Sequence, residues 1–157
     1  MPRARRGLEL RVPPLLVLLV FALLMLGADR VLPVAELAIP WRGALAVVML
    51  VFGTAVAIAG VFAFRRHATT VDPTQPTNAS TLVASGVYRY TRNPMYLGFA
   101  LALAAWALVL SNLAALALVA VFALYLQRFQ ILPEERALSE RFGEEFARYR
   151  ARVRRWL

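Results

Sequence analysis

Tyr88, Arg92, Asn93 and Tyr96 stand within nine residues of one another, and Glu134 and Glu135 stand side by side later in the chain. Two phenols, a guanidinium, an amide and a carboxylate pair can bind a charged ligand and orient it. The set contains no thiol or imidazole to act as nucleophile or metal ligand. With no Cys in the chain, disulfides, thiolate metal sites and cysteine nucleophiles are excluded, and His67 is the single histidine, so no metal site is expected. Each of the six also has an ordinary structural use. Tyrosines and Arg92 suit the end of a membrane span, Pro94 is a helix-start residue, and Glu134 and Glu135 follow Pro133 where carboxylates complement a helix dipole. What distinguishes them is whether the fold brings them together.

The elements that must do so are membrane spans. Of 157 residues 61% are hydrophobic and only 17% charged, against about 25% charged in a soluble domain, and the mean hydropathy is +0.62. The charges lie in blocks separated by apolar stretches long enough to cross a bilayer, roughly 20 residues as a helix. The reading is a single all-α membrane domain over 1–157, with spans at about 12–30, 41–64, 94–110 and 113–131. An amphipathic interfacial helix follows at about 134–153. The first span follows a basic start, as a leader peptide would. Leu26-Gly27-Ala28 is a poor cleavage site, so the segment is read as retained. In the second, Gly53, Ala57 and Gly60 share a face and predict close helix packing. The 35 residues from Asn93 to Gln127 carry no charge. As one helix they would reach about 50 Å, too long for a core of about 30 Å, so a hairpin break is predicted at Ser111-Asn112. After Pro133, Leu138, Phe142, Phe146, Tyr149 and Val153 recur at helical steps and form one apolar stripe.

Arginine sets the orientation. All 18 basic residues are Arg and the net charge is +9. Four Arg precede the first span, four lie in 65–92, and eight follow from Arg128, whereas the opposite side has two. By the positive-inside rule both termini and the 65–92 segment are cytoplasmic. The same rule accounts for the basicity without a nucleic-acid partner, and a bacterial inner membrane is the expected location. The polar segment 65–92 is read as a loop with one helical turn, and its 69–85 part as a possible cover for a site.

Because the last two spans form a hairpin, the start of one adjoins the end of the other. Tyr88, Arg92, Asn93, Tyr96, Glu134 and Glu135 are therefore expected to converge at headgroup level, beside a nearly charge-free core.

The pattern Tyr88-x-x-x-Arg92-Asn93-Pro94-x-Tyr96-x-Gly98, followed by Glu134-Glu135-x-x-Leu138-x-x-x-Phe142-Gly143-x-x-Phe146-x-x-Tyr149, resembles the isoprenylcysteine carboxyl methyltransferase family. The wider group includes the small phospholipid N-methyltransferases. The resemblance covers roughly 67–153. It implies S-adenosylmethionine as cofactor, held where the last two spans meet the C-terminal helix. It further implies that Gly86, Val87, Tyr88, Asn93, Pro94 and Tyr96 line the cofactor pocket, and that Glu135, helped by Glu134, holds polar groups of the cofactor. Arg92 would serve the cofactor carboxylate or an anionic substrate group, and Arg92, Asn93 and Glu135 form the candidate catalytic set. Asn93 stands where many relatives have His, and the tail 153–157 lacks a proline often found there. No Gly-x-Gly occurs among the eight glycines, so a dinucleotide-type phosphate turn is absent.

Methyl transfer from a sulfonium is an in-line displacement that needs positioning and charge more than a base, which suits this residue set. The partners expected are membrane lipid and a lipophilic methyl acceptor, with carboxyl O-methylation leading over N-methylation of a phospholipid or S-methylation of a thiol. A membrane scaffold has no need of both motifs, and a transporter would carry ionisable residues at mid-depth, which spans two to four lack.

Overall fold

A computed structural model describes residues 9–32, 39–66 and 80–157, and every element among them is helical. The first helix, α1 (Pro14–Val31), starts at a proline, whose fixed φ and missing N–H suit the first helical position. It buries Val17, Phe21 and Met25 at steps of four and leaves Leu15, Leu19 and Leu23 exposed on the other face. In α2 (Arg42–Arg66) the inward face is built from small residues, Ala46, Gly53, Gly60 and Ala63. This helix packs chiefly along α3 (Pro94–Leu110), antiparallel to it. Ala46 meets Ala105 and Leu108 at one end, and Gly60 meets Pro94 at the other.

Between them the backbones nearly touch. A Cβ on Gly98 would fall 2.5 Å from the Gly53 carbonyl oxygen, and one on Gly53 would fall 2.9 Å from the Gly98 oxygen. Gly98, part of the recognised motif, is thus a packing residue, as are Gly53 and Gly60.

The hairpin from α3 to α4 (Leu113–Leu126) breaks at the expected place. Ser111 closes α3 in the left-handed region at φ 55, and Asn112 starts α4 by accepting from the Ala114 and Ala115 N–H groups. The Asn112 amide also donates to Leu32 O at 2.9 Å and to Asp29, tying the hairpin tip to the end of α1. Helices α1, α3 and α4 share one core in which Phe21 meets Phe122 edge to face at 5.3 Å and Trp106 donates to Ala22 O.

Below α4 the chain does not stop at Pro133. A π turn (Gln127–Ile131) leads straight into α5 (Leu132–Arg152). Proline lacks the N–H that would bond Phe129 O and its ring crowds that carbonyl; widening one turn relieves this. Leu10 N–H, from the segment before α1, donates to Phe129 O at 3.0 Å, and Gln130 reaches Val12 O at 2.7 Å. Glu9 clamps the same turn through Arg128 and Arg136, both at 2.6 Å.

α5 departs from the single amphipathic helix read in the sequence. Gly143 has φ 50 and ψ −119, and the helix turns there. Twenty residues of straight helix would span about 30 Å, yet Glu135 and Arg155 are 2.8 Å apart. The chain therefore folds back, and the apolar stripe closes on itself: Phe146, Tyr149 and Val153 pack with Leu138, Phe142 and Leu82. A backbone at that φ and ψ is open to glycine and strained for residues with a Cβ.

By length and apolarity α1, α2 and the helix from Leu113 can each cross a membrane, and α3, of 17 residues, is a shorter apolar helix. The outward faces carry Val47, Val51, Phe62 and Leu124, all exposed, which is a lipid-facing surface. The last helix carries no charged residue from Leu113 to Gln127, and charges begin again at Arg128. Of the long polar segment, 67–79 lies outside the described residues, and with it most of the expected site cover. Its one helical turn is a 3-10 turn, Gly86–Arg89.

Two outcomes follow. Gly98→Val is expected to lower thermal stability in detergent by about 1–3 kcal/mol, while Gly43→Ala, with open space around it, leaves it unchanged; equal effects would refute the close approach. Gly143→Ala is expected to speed tryptic cleavage after Arg148 to Arg154 severalfold, and an unchanged rate would mean that the reversal does not depend on glycine.

Candidate functional site

The six polar residues singled out from the sequence do converge, around Glu135. Its carboxylate is held between two guanidiniums. Arg92 Nη2 donates to Oε1 at 2.7 Å, and Arg155 forks across both oxygens, Nε to Oε1 at 3.0 Å and Nη2 to Oε2 at 2.8 Å. Arg92 and Glu135 side chains are about nine-tenths buried, and Arg155 is more open. Burial alone would raise the Glu135 carboxyl, but the Arg155 hydrogen bonds and the two positive charges hold it below its ordinary range. Arg155 is correspondingly raised by its bond to Glu135.

Nη1 and the main-chain N–H of Arg92 tie down the chain end. Nη1 donates to Arg150 O and Val153 O, each at 3.0 Å, and the Arg92 backbone N–H donates to Arg154 O at 3.0 Å. Thr91 Oγ1 and Asn93 Nδ2 both donate to Arg155 O, at 3.2 and 3.0 Å. Asn93 occupies the N-cap of α3 without capping it by its side chain, unlike Asn112. It gives up that ordinary role to hold the C-terminal segment. Arg92 Nε is buried with no partner.

Glu134 has the opposite fate from its neighbour. Its side chain is half-buried and its carboxyl accepts a hydrogen bond from Tyr96 OH. Burial pushes it up to about 8; the Tyr96 bond opposes that and the Glu135 charge adds to it. At neutral pH Glu134 is therefore mostly protonated while Glu135 is charged, two adjacent carboxyls set apart by their surroundings. Tyr88 lies close by, its hydroxyl raised by burial and then by Tyr149 and Glu134. Its ring stands edge to face with Phe64 at 5.3 Å, and its carbonyl accepts from Tyr149 OH at 2.8 Å.

Other residues expected to line a pocket sit differently. Pro94 is buried against Gly60, in the packing of α2 on α3. Val87 joins the small cluster of Ala63, Val83 and Tyr88, and its carbonyl already accepts from Tyr90 and Thr91. Gly86 is exposed, with φ 60. Sequence reasoning missed Arg155, Thr91 and the part played by Tyr149. Arg155 looked like one more basic residue in an Arg-rich tail, and nothing local marks it as the partner of Glu135. No group of His, Asp or Glu among the described residues could hold a metal ion.

A bundle of apolar helices, three of them long enough to cross a bilayer, with an ionic cluster at one end, defines an all-helical integral membrane protein. Residues 41–145 match the model of the phospholipid methyltransferase family, and the chain belongs to that family. Over 119 residues, 73% of this chain, it is 31% identical to the mouse protein-S-isoprenylcysteine O-methyltransferase, and it spans 41% of that enzyme's length. A Haemophilus influenzae protein of uncharacterised function is 48% identical over 63 residues, 40% of this chain and the whole of that protein. No solved structure gives a significant match. The segment that supplies Arg155 lies beyond the family match.

The raised Glu134 carboxyl fixes the sign of a pH effect. A group whose proton is held more tightly in the fold contributes stability below its ordinary value near 4.5 and loses it as pH rises through about 8. Relative to Glu134→Gln, which keeps an acceptor for Tyr96 but cannot ionise, the wild type is expected to lose about 3–6 °C of melting temperature between pH 6 and 9. Parallel profiles would show that the carboxyl is not raised.

Proposed function

We propose that this protein transfers the methyl group of S-adenosylmethionine to a lipophilic acceptor at the cytoplasmic face of the membrane. The observation that carries the reading is the cluster of Arg92, Glu135 and Arg155 beside Tyr96 and Glu134, formed by the two motif segments and the C-terminal tail in a chain of a methyltransferase family. Two guanidiniums against one carboxylate leave an excess positive charge, which suits an α-carboxylate. The unpartnered Arg92 Nε is a donor suited to such a group. Glu135 suits an ammonium or a ribose diol, so the donor set fits the cofactor.

When bound, S-adenosylmethionine supplies an electrophilic methyl on a sulfonium. The chain's own residues bind and orient. Arg92 and Arg155 fix the anionic end, and Glu135 holds both guanidiniums in place. Asn93 and Thr91 keep the C-terminal segment over the cluster. Tyr96 and protonated Glu134 form an uncharged polar pair on the adjoining side, where burial excludes water. Proximity and a fixed electrostatic setting are what an in-line displacement requires, and a carboxylate acceptor needs no base to remove a proton.

For the acceptor, the name of the mouse relative points to a prenylcysteine carboxylate and the family name to a phospholipid headgroup. The residue set favours the first, because a carboxylate attacks without losing a proton whereas a headgroup ammonium must first be deprotonated by a base. The membrane is then both solvent and source of the acceptor.

Binding of S-adenosylmethionine to the protein in nanodiscs is the first test. Glu135→Gln and Asn93→Ala, each with helicity retained, are expected to weaken it at least about tenfold, equivalent to about 1.4 kcal/mol. A well-folded wild type that does not bind would remove the enzyme reading. Methyl transfer to a prenylated cysteine with a free carboxylate is expected to exceed transfer to phosphatidylethanolamine, and the reverse preference would move the acceptor to the headgroup amine.

A further inference from the structure

The charges that the catalytic reading leaves unused are concentrated at the chain end. From Arg148 to Leu157 there are five Arg and no acid. Four of them, Arg148, Arg150, Arg152 and Arg154, are exposed. Among the described residues none of these four lies within salt-bridge distance of a carboxylate. Arginine in excess on a cytoplasmic segment is expected from the positive-inside rule, and that alone would not make a site. The position of this segment is the second observation.

The segment is fixed at the level of the membrane boundary. The carbonyls of Arg154 and Arg155 accept from Arg92 N–H, Thr91 Oγ1 and Asn93 Nδ2. Those three residues immediately precede α3, the span that begins at Pro94. The carbonyls of Arg150 and Val153 accept from Arg92 Nη1. The buried side of the segment, Tyr149 and Val153, seals it inward. The four arginines are exposed around the rest of it, beside the residues that open the span at Pro94 and so near the depth expected of lipid phosphates. The backbone that carries them also closes over the Arg92 and Glu135 cluster.

We infer that Arg148, Arg150, Arg152 and Arg154 form a docking surface for anionic lipid headgroups, and that lipid binding there holds the C-terminal segment closed over the site. Guanidinium pairs bidentately with phosphate, and basic residues near an anionic leaflet are attracted within a Debye length, about 8 Å at physiological salt. Neutralising the four charges relieves their mutual repulsion and strengthens the backbone bonds to Thr91, Arg92 and Asn93. The inference concerns the closing segment and stands whether or not the cofactor assignment is right, because its test reads stability and exchange alone.

The experiment uses the full chain in nanodiscs of phosphatidylcholine, with and without 30% phosphatidylglycerol. Anionic lipid is expected to raise the melting temperature, on the order of 5 °C, and to slow amide hydrogen exchange at least threefold in peptides covering 90–96 and 150–157. Both effects are expected to vanish at high salt and in a variant with Arg148, Arg150, Arg152 and Arg154 all changed to Gln. The corresponding fourfold Lys variant is expected to retain them, which separates charge from loss of fold. Equal behaviour in the two lipids, or full retention by the Gln variant, would overturn the proposal. If inorganic phosphate in phosphatidylcholine nanodiscs reproduces both effects, the surface is a site for a soluble anion and the lipid assignment fails.

Discussion

The ion cluster of Arg92, Glu135 and Arg155 is the contact on which the functional end of this molecule depends. It joins three stretches far apart in sequence: the loop before α3, the first turn of α5, and the end of the chain. A pair buried to this degree is costly to assemble, and removing one partner leaves a charge stranded, at about 3–5 kcal/mol. Here the desolvation is offset by a forked Arg155 contact and by three backbone carbonyls that accept from Nη1 and the main-chain N–H of Arg92. The arrangement specifies a unique closure of the C-terminal segment more than it adds stability.

Several local features exist to make that closure possible. The π turn carries the helix past Pro133 without ending it, so Glu134 and Glu135 emerge on a rigid support. Glu9, Leu10 and Gln130 brace that turn against the segment preceding α1. Gly143 reverses the chain so that Arg155 returns to Glu135. In the bundle beneath, the Gly53 and Gly98 backbones hold α2 tightly on α3, which fixes where Arg92, Asn93 and Tyr96 stand relative to α2.

The two adjacent glutamates show how environment divides like residues. Glu135 faces guanidiniums and keeps its charge; Glu134 faces Tyr96 and protein and keeps its proton. Side by side they present one charged, directional group and one polar group whose proton is held more tightly. The tyrosines follow the same logic. Tyr96 serves Glu134, whereas Tyr149 and Tyr88 join the folded-back helix to the loop before α3.

The sequence by itself determined whatever depends on local hydropathy and local stereochemistry. Apolar runs gave four helices near their expected limits, and the charge-free stretch too long for one span required the break that Ser111 and Asn112 supply. Small residues at helical spacing marked the face of α2, and the hairpin implied that Arg92, Asn93 and Tyr96 would meet Glu134 and Glu135. Only the tertiary structure decided how α5 ends. The spacing of Leu138, Phe142, Phe146, Tyr149 and Val153 is the same whether the stripe meets a membrane or folds upon itself, because periodicity records which residues share a face and not what covers it. The identity of Glu135's second partner was likewise invisible. An arginine in a basic tail becomes a site residue only when a reversal at Gly143 brings it back, and long-range geometry of that kind leaves no local trace.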